Sequence, residues 1–154
     1  MPQQHSNHYI IMFCIMILSG LLSTMNVYAD KLDDIRWSLN DIYMTTLMTG
    51  WMITFMSIYY KDVKPFIVGS CIVIFSFYAI RTQLFISQDQ YLLGMIPHHS
   101  MAILMSKRLL DKKNTSITPF LNKIITTQTK EIEYMKQFRL QSVSGAKYTP
   151  LEKV

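Results

Sequence analysis

The chain opens with long uncharged apolar stretches joined by short polar connectors, and past its midpoint changes to a mixed pattern of helical period. Tyr9 to Tyr28 carries no charge over about twenty residues, enough to cross a hydrocarbon core. Ile42 to Tyr60 is likewise uncharged, and Pro65 to Ile80 forms a third stretch that extends through Arg81 to Ile86, with the Arg81 stem long enough to reach headgroups. Backbone groups in lipid must pair within their own segment, so each stretch predicts a helix. Tyr9, Tyr28, Tyr43, Tyr59 and Tyr60 lie near segment ends, where aromatic belts form. A secretory signal is the rival reading of the first stretch, because Val27-Tyr28-Ala29 resembles a cleavage site. The preceding PQQHSNH lacks Lys and Arg and the apolar run is long, which favours a retained helix.

The connector Ala29 to Asp41 is polar and mixed in charge, with Ser38 or Asn40 available to cap the next helix, and Lys61 to Pro65 is a tight polar turn. Three spans put the two ends of the chain on opposite sides. Lys31, Arg36 and Arg81 on one face nearly balance Lys61, Lys64 and the amino terminus on the other, so the positive-inside rule sets no orientation.

Gln88 to Leu110 reads as an amphipathic helix with Tyr91, Leu92, Met95, His98, Ala102, Met105 and Leu109 at three- and four-residue steps. Pro97 predicts a kink or a fresh start just before His98. After the polar turn Asp111 to Ser116, Thr118 caps a helix beginning at Pro119. Its apolar line is Leu121, Ile124, Ile125, Ile132, Met135 and Phe138, with Gln128 on the same stripe. The expected organisation is all-α: a membrane domain over residues 1–86 (helices about 9–28, 42–60 and 65–86), a helical hairpin over 87–141 and a tail over 142–154. A hairpin of about fifty residues rarely closes a core alone, so self-association is expected, and two hairpins side by side make a four-helix bundle.

The chain has 154 residues, half of them hydrophobic, which suits a small domain with a membrane anchor. Its net charge of +5 is scattered and interleaved with acids, without an arginine-rich arm, zinc finger or aromatic RNA-binding signature; no nucleic-acid partner is expected. Cys14 and Cys71 sit in apolar segments as small hydrophobes, with no metal-type cysteine spacing. The twelve methionines change the picture more.

Met95-Ile96-Pro97-His98-His99-Ser100-Met101-Ala102-Ile103-Leu104-Met105 puts two imidazoles and three thioethers within eleven residues. Thioether sulfur and imidazole nitrogen both bind Cu(I). At about 100° per residue, Met95, His98, Met101 and Met105 fall within a half-turn with His99 at its edge, so His98 is expected inside and His99 half exposed. Gln128 and Met135, with Glu131 beside them, face this arc from the second helix and can complete or orient it. The plain alternative is that the methionines fill a core and the histidines hold packing by hydrogen bonds, making the hairpin an assembly module. Met44, Met48, Met52 and Met56 recur at four-residue steps, and Met12 and Met16 repeat the step. Packing explains such rows; the alternative is a thioether ladder passing soft ions towards the hairpin. Nothing ionisable lines these spans, which argues against proton or charged-solute transport. A di-iron site needs Glu-x-x-His on two helices, yet Glu131 and Glu133 are the hairpin's glutamates before the tail. Zincin, nucleophile-elbow and phosphate-loop motifs are missing too, so no catalytic residue is expected.

The string from Met95 to Ile103, followed by Ile124-Ile125, Gln128, Glu131-Ile132 and Met135, resembles the domain-of-unknown-function family 305, grouped with ferritin-like helical bundles. Tyr9 to Tyr28, the polar connector, and Tyr43-Met44 through Met48, Met52, Met56 and Tyr59-Tyr60 resemble its membrane-anchored subgroup. The resemblance covers roughly residues 8 to 139. The family's role is mostly unassigned, but some soluble members are implicated in copper binding through Met and His. Carried over, this implies a Cu(I) or similar soft-ion site at Met95, His98, His99, Met101, Met105 and Met135, supported by Gln128 and Glu131, for metal homeostasis or tolerance. This chain lacks the extra Met and His runs of the copper-linked members, so high capacity is not expected. The resemblance also places the hairpin outside the cytoplasm.

Overall fold

A computed structural model describes residues 2–112 and 116–144, with side chains over 8–112 and 116–142. Lys113 to Thr115 of the expected turn, most of the expected tail and the His5 side chain lie outside the described residues. The elements are α1 (Pro2–Leu22), short 3-10 turns at Met25–Tyr28 and Leu32–Asp34, α2 (Leu39–Tyr60), α3 (Val63–Thr82), α4 (Gln88–Leu110) and α5 (Thr118–Ser144). The fold is all-helical among the described residues, and the chain divides into two compact units. One holds α1, α2 and α3. The other holds the hairpin together with residues 25–38, so the connector between α1 and α2 belongs to the hairpin's unit.

In the first unit α2 packs against both α1 and α3. The buried side chains are small or polar: Thr45, Thr49, Thr54 and Ser57 on α2, Ser76 and Ala79 on α3. Gly20, Gly50 and Gly69 are buried with them. A Cβ at Gly69 would stand 2.8 Å from the Thr54 backbone nitrogen, and one at Gly50 would stand 3.1 Å from that of Val73. The backbones therefore approach closely, as small residues permit in membrane helices. Three buried hydroxyls of α2 are satisfied inside their own helix: Thr49 donates to the Thr45 carbonyl at 2.9 Å, Thr54 to Gly50 at 2.9 Å and Ser57 to Ile53 at 2.6 Å. Large apolar side chains such as Ile10, Phe55, Ile74 and Phe77 point outward. Water-soluble domains have the reverse distribution.

By length and composition, two segments are apolar enough to cross a membrane, His8–Tyr28 and Val63–Thr82. The expected third, Ile42 to Tyr60, is not among them, because α2 spends its inner face on threonine and serine. The helix ends also correct the expected ones. α1 stops at Leu22, where the chain turns towards the 3-10 segments. α3 starts earlier than Pro65 because Asp62 caps it, accepting from the Lys64 N–H at 3.3 Å. It stops before Ile86 because Gln83 turns left-handed (φ 50°) and its N–H returns to the Ala79 and Ile80 carbonyls. Tyr43 then holds the turn by donating to the Leu84 carbonyl at 2.6 Å.

In the second unit Ser87 caps α4 through the Gln90 N–H. The hairpin core is Leu92, Ile96 and Ile103 of α4 against Ile132 and Met135 of α5, flanked by Met95, Ile125, Tyr134 and Phe138. Arg139 pairs with Asp89 at 2.6 Å. The expected apolar line of α5 is the observed one. That of α4 is rotated by about one residue, or 100°: Leu92, Ile96, Ser100, Ile103 and Ser106 are buried, while Tyr91, His98 and Met105 are exposed. The helix continues through Pro97 rather than breaking there. Proline removes the N–H that would pair with the Leu93 carbonyl, and core contacts around the buried ring outweigh that loss.

Replacing Gly69 by Val is expected to destabilise the first unit by about 1–3 kcal/mol through forced separation of α2 and α3. Cys71→Val on the exposed side of the same helix should be near neutral. Thermal melting in detergent compares the two; equal melting would refute the close-contact reading.

Candidate functional site

The site grows from the residues that α4 presents around Pro97. The two imidazoles diverge, with ring centroids 6.2 Å apart and planes at 59°. His98 was expected inside and His99 half exposed, and the structure reverses them: His98 is exposed and the His99 side chain is 13% exposed. The 100° rotation of the core face is the cause, since His99 falls between Ile96 and Ile103. His99 Nδ1 lies 3.1 Å from Glu131 Oε2, without the alignment of a hydrogen bond. Burial pushes the His99 imidazole below its ordinary value of 6.5; the Glu131 carboxylate pulls it back up and His98 adds to the lowering. The neutral ring is therefore favoured.

The outer imidazole has a partner from outside the hairpin helices. His98 Nδ1 stands 3.4 Å from the thioether sulfur of Met25, in the first 3-10 turn. The other expected donors lie elsewhere. Met135 is buried in the hairpin core and Met95 packs against it. Met101 is half-buried and Met105 is 58% exposed. Gln128 and Glu131 are half-buried on α5. Among the described residues, no three His, Cys, Asp or Glu side chains gather at one point.

Met25 is held there by a strap. Residues 25–38 form a loop closed by Asn26, whose side chain accepts from the Arg36 N–H at 2.9 Å and donates to the Arg36 carbonyl at 2.7 Å. Ser100, fully buried on α4, accepts from the Asp30 N–H at 2.8 Å and donates to the Asp34 carboxylate at 2.6 Å. Asp34 is 2% exposed and meets Lys136 of α5 at 2.6 Å. Lys136 also pairs with Asp33, and Lys107 pairs with Asp30 at 2.6 Å. Burial alone would lower the Lys136 ammonium, but its bonds and charges with Asp33 and Asp34 win and hold it above its ordinary 10.5. The Lys136 hydrogen bond, then its charge, holds Asp33 below 3.8.

The strap residues Met25, Asp30 and Asp34, with Ser100, Lys107 and Lys136, were missed by sequence reasoning. One signal was present: acids crowd residues 30–34, and lysines recur on both hairpin helices. Periodicity carries no information on which lysine meets which acid.

Fold and site together define an all-helical hairpin protein with an acidic strap locked across one helix. The family model described as "Domain of unknown function (DUF305)" matches residues 82–139, which span the end of α3, all of α4 and most of α5. A protein of Acanthamoeba polyphaga mimivirus, named as uncharacterised, is 45% identical over 132 residues, covering 82% of this chain and 87% of its own length. The chain belongs to the DUF305 family. No solved structure matches it.

Two predictions follow the electrostatics. Asp34→Ala is expected to cost about 1–3 kcal/mol in the hairpin unit, because it strands the Ser100 hydroxyl while Lys136, partly exposed, keeps Asp33. Ser100→Ala should cost about 1–3 kcal/mol by leaving the Asp30 N–H and Asp34 oxygen short of a partner. Denaturant melting measures both. For pH, the unfolded His99 takes its proton near 6.5, before the folded one does. Its contribution is present above 6.5 and lost as pH falls through the lowered folded value. Metal-free protein should therefore melt at lower temperature as pH drops below 6.5, and His99→Gln should flatten that slope. The Asp33 contribution is present above 3.8 and lost at still lower pH, so it leaves this window unchanged.

Proposed function

We propose that this protein is a membrane-anchored, non-catalytic binder of Cu(I) or a similar soft ion, with His98 and Met25 as its core ligand pair. The single observation that carries the reading is the 3.4 Å approach of an exposed imidazole nitrogen to an exposed thioether sulfur. One borderline and one soft neutral donor at a surface suit Cu(I), whose filled d shell tolerates low coordination numbers. The ligand set is narrower than the sequence implies. Met95 and Met135 serve the core, and Met101, Met105 and His99 are available only if the site is completed by rotamer change or by a second hairpin. Resemblance to copper-linked members of the family supports the same ion.

Membrane anchoring rests on the apolar exterior and small-residue interior of the first unit, and on its two long apolar segments. In this reading α2 is carried across as the third span, its hydroxyls satisfied within the helix, and the hairpin stands on the non-cytoplasmic side. Self-association is the second reading, favoured by exposed Tyr91, Phe120 and Leu140 on a hairpin with a thin core. Its outcome would be a dimer with paired hairpins and histidines that serve packing.

Anaerobic Cu(I) titration of the detergent-solubilised chain tests the first reading. His98→Ala combined with Met25→Leu is expected to weaken binding by about tenfold or more, since even outer-shell changes at metal sites cost that much. Affinity equal to the unmodified chain would remove the proposal. Light scattering of the metal-free chain tests the second.

A further inference from the structure

The methionine rows of the first unit meet in a different place. Gly20 of α1 lies against Thr45 of α2, where an added Cβ would stand 2.5 Å from the threonine methyl. That contact pinches the two antiparallel helices at one end. Away from the pinch the helices part around a small, partly open crevice of about 10 Å³, room for one water-sized guest or a bare ion, lined by Tyr9, Met12, Met16, Thr49, Met52 and Met56 among others. Met12 and Met16 form an i,i+4 pair on one helix, and Met52 and Met56 form another on the facing helix. Four half-buried methionines from two facing helices thus line one crevice.

We propose that this crevice is a second soft-cation site, independent of His98 and Met25, in which the thioethers of Met12, Met16, Met52 and Met56 hold a monovalent ion such as Cu(I) or Ag(I). The donors select the ion class. Calcium and magnesium need several oxygen ligands, whereas soft sulfur selects soft metals. The crevice offers little oxygen: the Thr49 hydroxyl is already given to the Thr45 carbonyl, and the Tyr9 phenol is the one ionisable lining group. No carboxylate lines it to neutralise a second charge, and a charge surrounded by apolar side chains is costly, so a single positive charge is what four neutral ligands can carry.

The site also has an edge. Met44 and Met48 continue the sequence row of Met52 and Met56 but are 50% and 48% exposed. A four-residue step advances about 40° round the helix, so three steps turn about 120° and carry the start of the row out of the crevice. The row is therefore a local pocket of four sulfurs and does not continue along one face of α2.

Ag(I), monovalent and without a change of oxidation state, is the probe, added to the full chain in micelles. With methionine methyls labelled with carbon-13 and assigned by single Met→Leu variants, Ag(I) should shift the signals of Met12, Met16, Met52 and Met56 together. The variant M12L/M16L/M52L/M56L, close to volume-conserving, should bind one Ag(I) fewer per chain. The variant with His98→Ala and Met25→Leu should keep the four shifts, which separates this site from the one under Proposed function. Unmoved methyl signals at these four residues, or unchanged stoichiometry in the quadruple variant, would overturn the inference. The methyl experiment on the unmodified chain stands if the quadruple variant fails to fold.

Discussion

A buried carboxylate organises the hairpin unit. Asp34 is almost fully enclosed, which would be prohibitive for an unpaired charge, and it persists because Ser100 donates to one oxygen and Lys136 reaches the other. Those partners come from both helices of the hairpin, so one side chain of the strap reads the relative position of α4 and α5. Asp30 repeats the arrangement more loosely, giving its N–H to Ser100 and its carboxylate to Lys107. The apolar core between the helices is thin, five buried residues, and is non-directional. Register comes from the polar strap, whose partners fit in one arrangement. Met25 inherits its place from this lock, since the same loop, closed at Asn26 and Arg36, carries it to His98.

The first unit solves a different problem. Its interior is built largely from threonine, serine, glycine and alanine, and the Thr49, Thr54 and Ser57 hydroxyls bond back to their own helix. Contact between helices then depends on close backbone approach and van der Waals packing. The cost is that α2 loses hydropathy to its inner face and does not read as a spanning helix by composition, although it is as long as its neighbours.

How much was legible follows from where the signal resides. The five long helices were visible because runs of apolar residues and a 3.6-residue period are properties of the local sequence. The α5 face was legible for the same reason, down to Leu121, Ile132 and Met135. The α4 face was not. Its buried side includes Ser100 and Ser106, which a hydrophobicity pattern assigns to solvent, and Ser100 is inside because the strap supplies its partners. That error of one residue exchanged His98 for His99, and with it the identity of the outward imidazole. The ends of α3 were misplaced for a different reason: Asp62 and the left-handed Gln83 set them through cap geometry, which apolar run length does not encode. The role of residues 25–38 depends on contacts with chain some seventy to a hundred positions away, beyond any local pattern.

The same residue type thus carries three physical roles in one chain, and environment assigns them. Met135 is buried in an apolar core and Met95 packs against its edge, where flexible shape is what matters. Met25 is exposed and has an imidazole nitrogen against its sulfur. Met12, Met16, Met52 and Met56 stand between these cases: half-buried and arranged round a small crevice. A count of methionines does not distinguish such cases, and neither does spacing, since the row from Met44 to Met56 passes from solvent-facing to interior within four turns. What distinguishes them is whether a sulfur faces carbon, a second donor or a void.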